Sequence, residues 1–243
     1  MIVYVNGDSH SAGGEAVNPY CFANDDPLYW ALGRQPHPDN LRVSYGCELA
    51  NMLYAVLECD AESSASNDRI LRTTHEYLSN FPNDSKPDLI VIGWSTWERE
   101  EWQHNGTYYQ VTASGTDSVP NELETRYKEW VIEQSDPNVR YEKIKNIHSR
   151  IWALHNDLDQ RKIPHVFFNT YSDFNTLRQL GVETHDWGQS YVCPYDIDGT
   201  YYNWCLSKGF KTANPKSYHF WADAHAAWAE YLYQNYVQKL LTR

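Results

Sequence analysis

The sequence predicts an α/β domain built on a parallel sheet with helices on both faces. Three observations carry this. Short apolar runs alternate with helical patterns along the chain, as they do in successive βαβ units. Two of the runs, residues 88–93 (DLIVIG) and 163–169 (IPHVFFN), are nearly unbroken by polar residues, as strands covered on both faces are. Apolar residues make up 42% of 243 positions and aromatics 15%, enough for a domain-sized core and too much for wholesale disorder.

Taken in order, residues 2–6 (IVYVN) are β-branched and aromatic and stop at Gly7, which makes them the first buried strand. Residues 18–40 are rich in Pro, Asn and Asp and form an irregular excursion. In residues 44–57 the apolar positions Cys47, Leu49, Ala50, Leu53, Tyr54 and Leu57 recur at helical spacing. A short extended piece at 58–62 and the polar turn Ser63-Ser64-Ala65-Ser66 lead into a helix through 69–78, capped by Ser66 or Asn67. Residues 88–93 form the next strand. Residues 94–121 are polar and contain Gly106, Gly115 and Pro120, so they make a functional loop or a small subdomain. Helices at 122–134 and 138–161, a strand at 163–169, a turn-rich stretch at 194–215 and an amphipathic helix at 220–241 complete the chain. There is no repeat and no linker, which gives one domain over 1–243 with loop insertions near 18–40, 94–121 and 185–217. In open sheets of this kind, ligands bind beyond the carboxyl ends of the strands at the switch point in strand order. The segments after Gly7 and after Gly93 are therefore expected to carry chemistry.

Composition excludes several function classes. The net charge is −12, with 20 basic and 32 acidic residues, so no basic face is expected for nucleic-acid phosphates or anionic lipid. No apolar run is long enough to span a membrane, and the opening MIVYVNGDS lacks the features of a secretory signal. The five cysteines are scattered and form no CxxC pair, which points to free thiols in a reducing, cytoplasmic compartment. No GxGxxG or P-loop follows a strand, and His148 and His155, seven apart on a helix, read as structural; no cofactor and no metal are expected. Ten Trp and 19 Tyr against 7 Phe suggest that polar-tipped aromatics line clefts as well as the core.

The segment Gly7-Asp8-Ser9-His10 has the chemistry of a nucleophile turn. A serine leaving a buried strand exposes its hydroxyl at the sheet edge, and its own N–H can serve an oxyanion in the same cavity. Gly7 permits the bend and Asp8 is expected to hold the turn by accepting backbone N–H bonds, with His10 beside it. The alternative is a plain Asp-Ser turn. His219, just before the last helix, is placed to act as the base, while His225 falls inside that helix. After strand three, the run from Trp97 to Trp102 is either a solvated charged turn or a substrate surface. In the second case Arg99 grips an anionic or polar group, with Thr96 beside it, and Trp94 and Trp97 stack on a sugar ring.

These blocks resemble those of SGNH/GDSL-type hydrolases. Gly7-Asp8-Ser9 matches the family block after strand one, and Ser64–Ser66 fall where the family has a glycine-bearing turn. Gly93-Trp94-Ser95-Thr96 falls at the family's Gly-x-Asn turn. His219 stands before the final helix, with Ala224, His225 and Ala229 in the family register. The stretches GDSHSAGGE (7–15), SNDRILRTT (66–74) and IGWSTWERE (92–100) further resemble SGNH-like proteins of large tailed bacteriophages. The resemblance implies a flavodoxin-like three-layer α/β/α sandwich with Ser9 as nucleophile and His219 as base. It implies an oxyanion hole from the N–H groups of Ser9 and of Ser64, Ala65 or Ser66, with Ser95 or Asn67 in place of the absent family Asn. The family Asp three residues before the histidine is Lys216 here, so the orienting acid is expected from Asp223, Asp196, Asp198 or Glu98. The implied activity is hydrolysis of a small-molecule or glycan ester, such as removal of an acetyl group from a carbohydrate. The alternatives are an impaired SGNH-like binding or virion-associated phage protein, in the host cytoplasm if viral, and an acyltransferase.

Overall fold

Five parallel strands form the central sheet in the computed structural model, which describes residues 1–81, 86–113, 119–182 and 184–242. They are β1 (Ile2–Gly7), β2 (Val56–Cys59), β3 (Leu89–Trp94), β6 (His165–Asn169) and β7 (Tyr191–Val192). Their spatial order is β2-β1-β3-β6-β7. Counted within the sheet this is 2-1-3-4-5, the flavodoxin-like order, whose switch point lies between β1 and β3. The register pairs Gly7 with Gly93 there. The expected three-layer α/β/α sandwich is the observed architecture.

The side-chain alternation of the strands sorts the core into two layers. Val3, Val5, Leu89, Val91, Val166 and Phe168 face one side. They pack on α2 (Tyr45–Met52), α7 (Tyr201–Ser207) and α8 (Ala222–Leu232). Tyr4, Ile90, Ile92, Trp94 and Phe167 face the other, against α3 (Asn67–Ser79) and α5 (Pro137–Gln160). Both faces are apolar because both are covered, which is why the strands read as unbroken hydrophobic runs.

The structure refines the sequence reading along the chain. The helix expected over 44–57 ends at Met52: Ser44 caps it, accepting from the Cys47 N–H at 3.3 Å, and Tyr54 turns the chain with φ of 52°. Val56 and Leu57 belong to β2 instead, two residues ahead of the expected extended piece. Within 94–121 the chain folds into the antiparallel hairpin β4 (Glu100–His104) and β5 (Thr107–Val111). Trp102 and Val111 of this hairpin make a small core with Tyr127 and Trp130 of α4 (Glu124–Glu133). Residues 114–118, Gly115 among them, lie outside the described residues. Residues 18–40 are shaped by 3₁₀ turns, by the short α1 (Pro38–Leu41) and by a buried His37–Asp26 contact of 3.0 Å. After the short α6 (Asn175–Gln179), α7 interrupts the turn-rich 194–215, and the closing helix changes to a π turn at Tyr233–Val237 before α9 (Gln238–Leu241). All five cysteines are free. Among the described residues no helix is long and apolar enough to cross a membrane.

Candidate active site

The turn out of β1 is built around close backbone approach. Gly7 has φ of 154°, and a Cβ there would sit 2.0 Å from Ser11 Oγ and 2.7 Å from the Gly93 carbonyl. No other residue fits where β1 and β3 part. Asp8 follows and does what the sequence reading assigned to it: Oδ1 accepts the His10 N–H at 3.0 Å. Its Oδ2 also accepts from Thr170 Oγ1 at 3.1 Å and Arg99 Nη1 at 3.3 Å. Burial pushes the Asp8 carboxyl up, but His10 and Arg99 outweigh it and leave the group below the usual carboxylate range. His10 is pushed down to about 4 by burial, and its Nδ1 has no partner among the described residues.

Ser9 and His219 meet. The serine Oγ lies 2.7 Å from His219 Nε2, across 210 residues of sequence. On the opposite ring nitrogen, Nδ1, stands Glu15 Oε2 at 2.8 Å. The result is a continuous hydroxyl–imidazole–carboxylate chain, buried at the serine and only partly exposed at the glutamate. The hydrogen bond from His219 holds the Glu15 carboxyl below its ordinary range, helped by hydrogen-bonding neighbours Ser217 and Asn214. Glu15 takes φ of 60°, an unfavourable conformation for a side-chain-bearing residue of the kind often found at functional sites. The chain on either side holds it there. Gly14 N–H donates to the Ser9 carbonyl at 2.7 Å, and Asn40 clamps the next stretch by accepting from the N–H groups of Val17 and Asn18.

None of the four acids expected to orient the imidazole does so. Asp223 accepts from the Ala224 N–H at the start of α8, and Asp196 accepts from the Asp198 N–H in a tight turn. Asp198 lies in that turn, and Glu98 pairs with Arg140 at 3.5 Å. Glu15 was missed because the missing family acid directs attention to residues near His219, whereas the carboxylate comes from the serine's own loop. The signal available was the acid in Gly13-Gly14-Glu15, six positions past Ser9. His225 is walled in by Tyr45 and Tyr201 and pushed down to about 3 by burial, so it stays a neutral helix residue.

A cleft of about 350 Å³ opens at Ser9, bordered by Ser64, Thr96, Arg99, Tyr171, Tyr218 and His219. Tyr171 and Tyr218, rings 5.9 Å apart, make one wall and were not anticipated. The expected oxyanion donors divide sharply. The N–H groups of Ser9 and Ser64 have no acceptor among the described residues, and Ser64 has φ of 60°, the conformation a glycine would take at this turn. Ala65 N–H is spent on the Glu62 carbonyl at 3.1 Å and Ser66 N–H on Gln110 Oε1 at 2.8 Å. Asn67 and Ser95 consume each other. Asn67 Oδ1 accepts the Ser95 N–H at 2.8 Å while its Nδ2 donates to the Ser95 carbonyl at 2.9 Å. The Ser95 hydroxyl in turn meets Arg99 Nη1 at 2.9 Å and the Asp8 carboxylate, so both side chains are engaged within the protein.

Of the expected substrate contacts, Thr96 and Arg99 reach the cleft. Trp97 borders a larger neighbouring cleft of about 600 Å³, which also touches Arg99. Trp94 does not contact substrate space. Even-numbered residues of β3 face α3 and α5, so its ring is fully buried against Phe167 at 5.3 Å.

Among the described residues, one group brings possible metal-ligating atoms together: those of His155, Asp159 and His165 lie within 4.8 Å of one another. The two imidazoles already hydrogen-bond each other at 2.8 Å, and His165 Nδ1 meets the Ile163 carbonyl. His165 opens β6, so this group lies at the end of the sheet opposite the cleft at Ser9.

A family model, described as a family of unknown function (DUF6071), matches residues 38–198. No curated protein matches the sequence. Among solved structures, the chain resembles a carbohydrate esterase whose active site displays divergent catalytic and non-catalytic binding functions. The alignment has 16% identity and a TM-score of 0.49, and covers 99% of this chain and 66% of that one. It also resembles the psychrotrophic esterase EstA from Pseudoalteromonas sp., at 12% identity and a TM-score of 0.48 over 100% of this chain and 99% of that one. An acetyl xylan esterase (Est2A) from the rumen bacterium Butyrivibrio proteoclasticus aligns at 12% identity and a TM-score of 0.43 over 99% of this chain and 62% of that one. The chain thus spans about two thirds of the length of the first of these.

Proposed function

The chain belongs to DUF6071, a family of unknown function, and from the geometry of its site we propose that it is a serine-dependent ester hydrolase. One observation carries the reading: Ser9 Oγ, His219 and Glu15 stand in a line of hydrogen bonds of 2.7 and 2.8 Å at the mouth of a cleft. Serine is a weak nucleophile until a base accepts its proton, and an imidazole fixed by a carboxylate is such a base.

The steps follow from the contacts. Ser9 Oγ attacks the acyl carbon as its proton passes to His219 Nε2. Glu15 holds the Nδ1–H and stabilises the imidazolium that forms. The carbonyl oxygen, now an anion, is received by the free N–H groups of Ser9 and Ser64. His219 then gives its proton to the leaving alcohol, and water repeats the sequence on the acyl-enzyme. Glu15 stays charged through this cycle because its carboxyl lies below the ordinary range.

The substrate is an ester with a small acyl group, and an O-acetylated carbohydrate suits the surroundings. A cleft of about 350 Å³ bounded by Tyr171 and Tyr218 leaves modest room at the serine. The adjoining space beside Trp97 offers an indole and polar side chains to the alcohol portion.

Labelling with a fluorophosphonate and hydrolysis of p-nitrophenyl acetate test the reading. The wild-type protein is expected to be labelled at Ser9 and to release p-nitrophenol, and Ser9→Ala to do neither. Full activity of the Ser9→Ala protein would remove Ser9 from the mechanism. A wild-type protein that neither labels nor cleaves would make this a binding module on a hydrolase scaffold.

A further inference from the structure

We propose that Arg99 is the third donor of the oxyanion site, a role that rests on the ester-hydrolase reading of Ser9 and His219. A tetrahedral intermediate concentrates negative charge on one oxygen, and each well-placed donor removed from such a site typically costs about 10²–10³ in rate. Two backbone N–H groups are free at the cleft. The side chains expected to supply a third donor are committed elsewhere, Asn67 to the Ser95 and Thr96 carbonyls and the Ser95 hydroxyl to Arg99 Nη1 and the Asp8 carboxylate.

Arg99 fills the space beyond the short Ser95 side chain. Its Nη1 lies 2.9 Å from Ser95 Oγ and 3.3 Å from Asp8 Oδ2, so the guanidinium is pinned to the residue immediately before the nucleophile. A longer side chain at position 95 would reach into the volume that this guanidinium occupies. Nε and Nη2 have no protein acceptor among the described residues, and Arg99 is the only Arg or Lys bordering the catalytic cleft. Its side chain is 24% exposed, so the group is shielded enough for its charge to count yet open to a ligand.

Asp8 and Ser95 anchor a single nitrogen and leave the rest of the planar fork to serve a second acceptor. This is a task for which arginine is suited and lysine, a point charge on a flexible stem, is not. In the reaction the developing oxyanion accepts N–H hydrogen bonds from Arg99 while the guanidinium keeps all its protons. No bond to Arg99 forms or breaks.

The test uses Arg99→Met and Arg99→Lys in the full chain, with kcat and KM on p-nitrophenyl acetate and the rate of fluorophosphonate inactivation. Phosphonylation develops the same charged oxygen at Ser9. Arg99→Met is expected to lose about 10²–10³ in kcat with KM changed less than threefold, to slow inactivation in parallel, and to keep a cooperative thermal transition. Arg99→Lys, which keeps a cation against Asp8 and so guards the fold, is expected to lose at least tenfold in kcat.

Either variant turning over the neutral ester at the wild-type rate would overturn the assignment. So would a loss confined to esters that carry a carboxylate, which would make Arg99 an anchor for substrate charge. In both cases a wild-type protein that labels and cleaves leaves the hydrolase reading standing. A wild-type protein that does neither removes that reading and the role of Arg99 with it.

Discussion

Glu15 and His219 are 204 residues apart in sequence and 2.8 Å apart in space, and Glu15 leaves the sheet on the same loop as Ser9, whose Oγ lies 2.7 Å from the other ring nitrogen. Ser9 and Glu15 grip the imidazole from its two nitrogens, and Gly14 between them lies against the same ring, where a Cβ would come within 3.3 Å of His219 Cε1. Glu15→Gln keeps the shape but accepts less strongly from Nδ1–H and can present its amide to the ring instead. We expect kcat to fall by about 10⁴, the loss that replacing a triad Asp by Asn produces, with KM little altered. Asp223→Asn and Glu98→Gln should retain activity. Comparing kcat for the three variants on one acetyl ester checks this, and equal losses at Asp223 and Glu15 would contradict it.

Ser64, whose backbone N–H is proposed as an oxyanion donor, is held in a left-handed conformation with φ of 60°. Ser64→Gly removes the steric cost and leaves the donor in place. It should keep kcat within about twofold and stabilise the fold by up to about 1 kcal/mol, once the extra freedom of glycine in the unfolded chain is set against the relief. Urea unfolding beside a kcat measurement reads both quantities. A large loss of activity in Ser64→Gly would place the hydroxyl, and not the N–H, at the chemistry.

The sheet was legible because β3 and β6 are buried on both faces and their composition says so, and Gly7-Asp8-Ser9 and His219 stand at the strand and helix ends where chemistry collects. Glu15 was not legible in the same way. Its role depends on the backbone folding back at Gly13 and Gly14 and on Asn40 clamping the segment beyond, none of which has a periodic signal. The β4–β5 hairpin was hidden because its strands carry Glu100, Glu101, Gln103 and Gln110, and its apolar contacts come from α4, not from alternation along a large sheet. Trp94 was misplaced for a simpler reason. The glycine before it suggested a turn already in progress, whereas β3 continues one residue further and aims the indole inward.

Trp94 and Trp97 should therefore separate in experiment. Trp94→Ala empties a fully buried site beside Phe167 and should cost about 3–5 kcal/mol of stability, read as a lower urea midpoint. Trp97→Ala, at the edge of the adjoining cleft, should cost much less stability and leave p-nitrophenyl acetate turnover nearly unchanged. If an O-acetylated oligosaccharide proves to be a substrate, its KM should rise in Trp97→Ala while kcat holds. A Trp97→Ala protein as unstable as Trp94→Ala would show that the indole serves packing alone.

Buried histidines should set the acid limit of the fold. Burial holds His10, His148 and His165 at about 4 and His225 at about 3, all below the ordinary 6.5. As the pH falls below about 6.5, the unfolded chain takes up protons at these positions and the native state does not, so the unfolded state binds more protons and stability declines. Each such histidine contributes at most about 1.4 kcal/mol per pH unit, and the loss levels off once the pH passes below its folded value near 4. Urea midpoints measured between pH 7.5 and 4.5 should be flat above 7 and drop steeply below 6.5. His225→Gln should make the drop shallower by about one proton, at whatever cost in absolute stability the lost ring contacts with Tyr45 and Tyr201 impose. A midpoint independent of pH over 6.5 to 4.5 would mean that these imidazoles are charged in the native protein, against the burial that surrounds them.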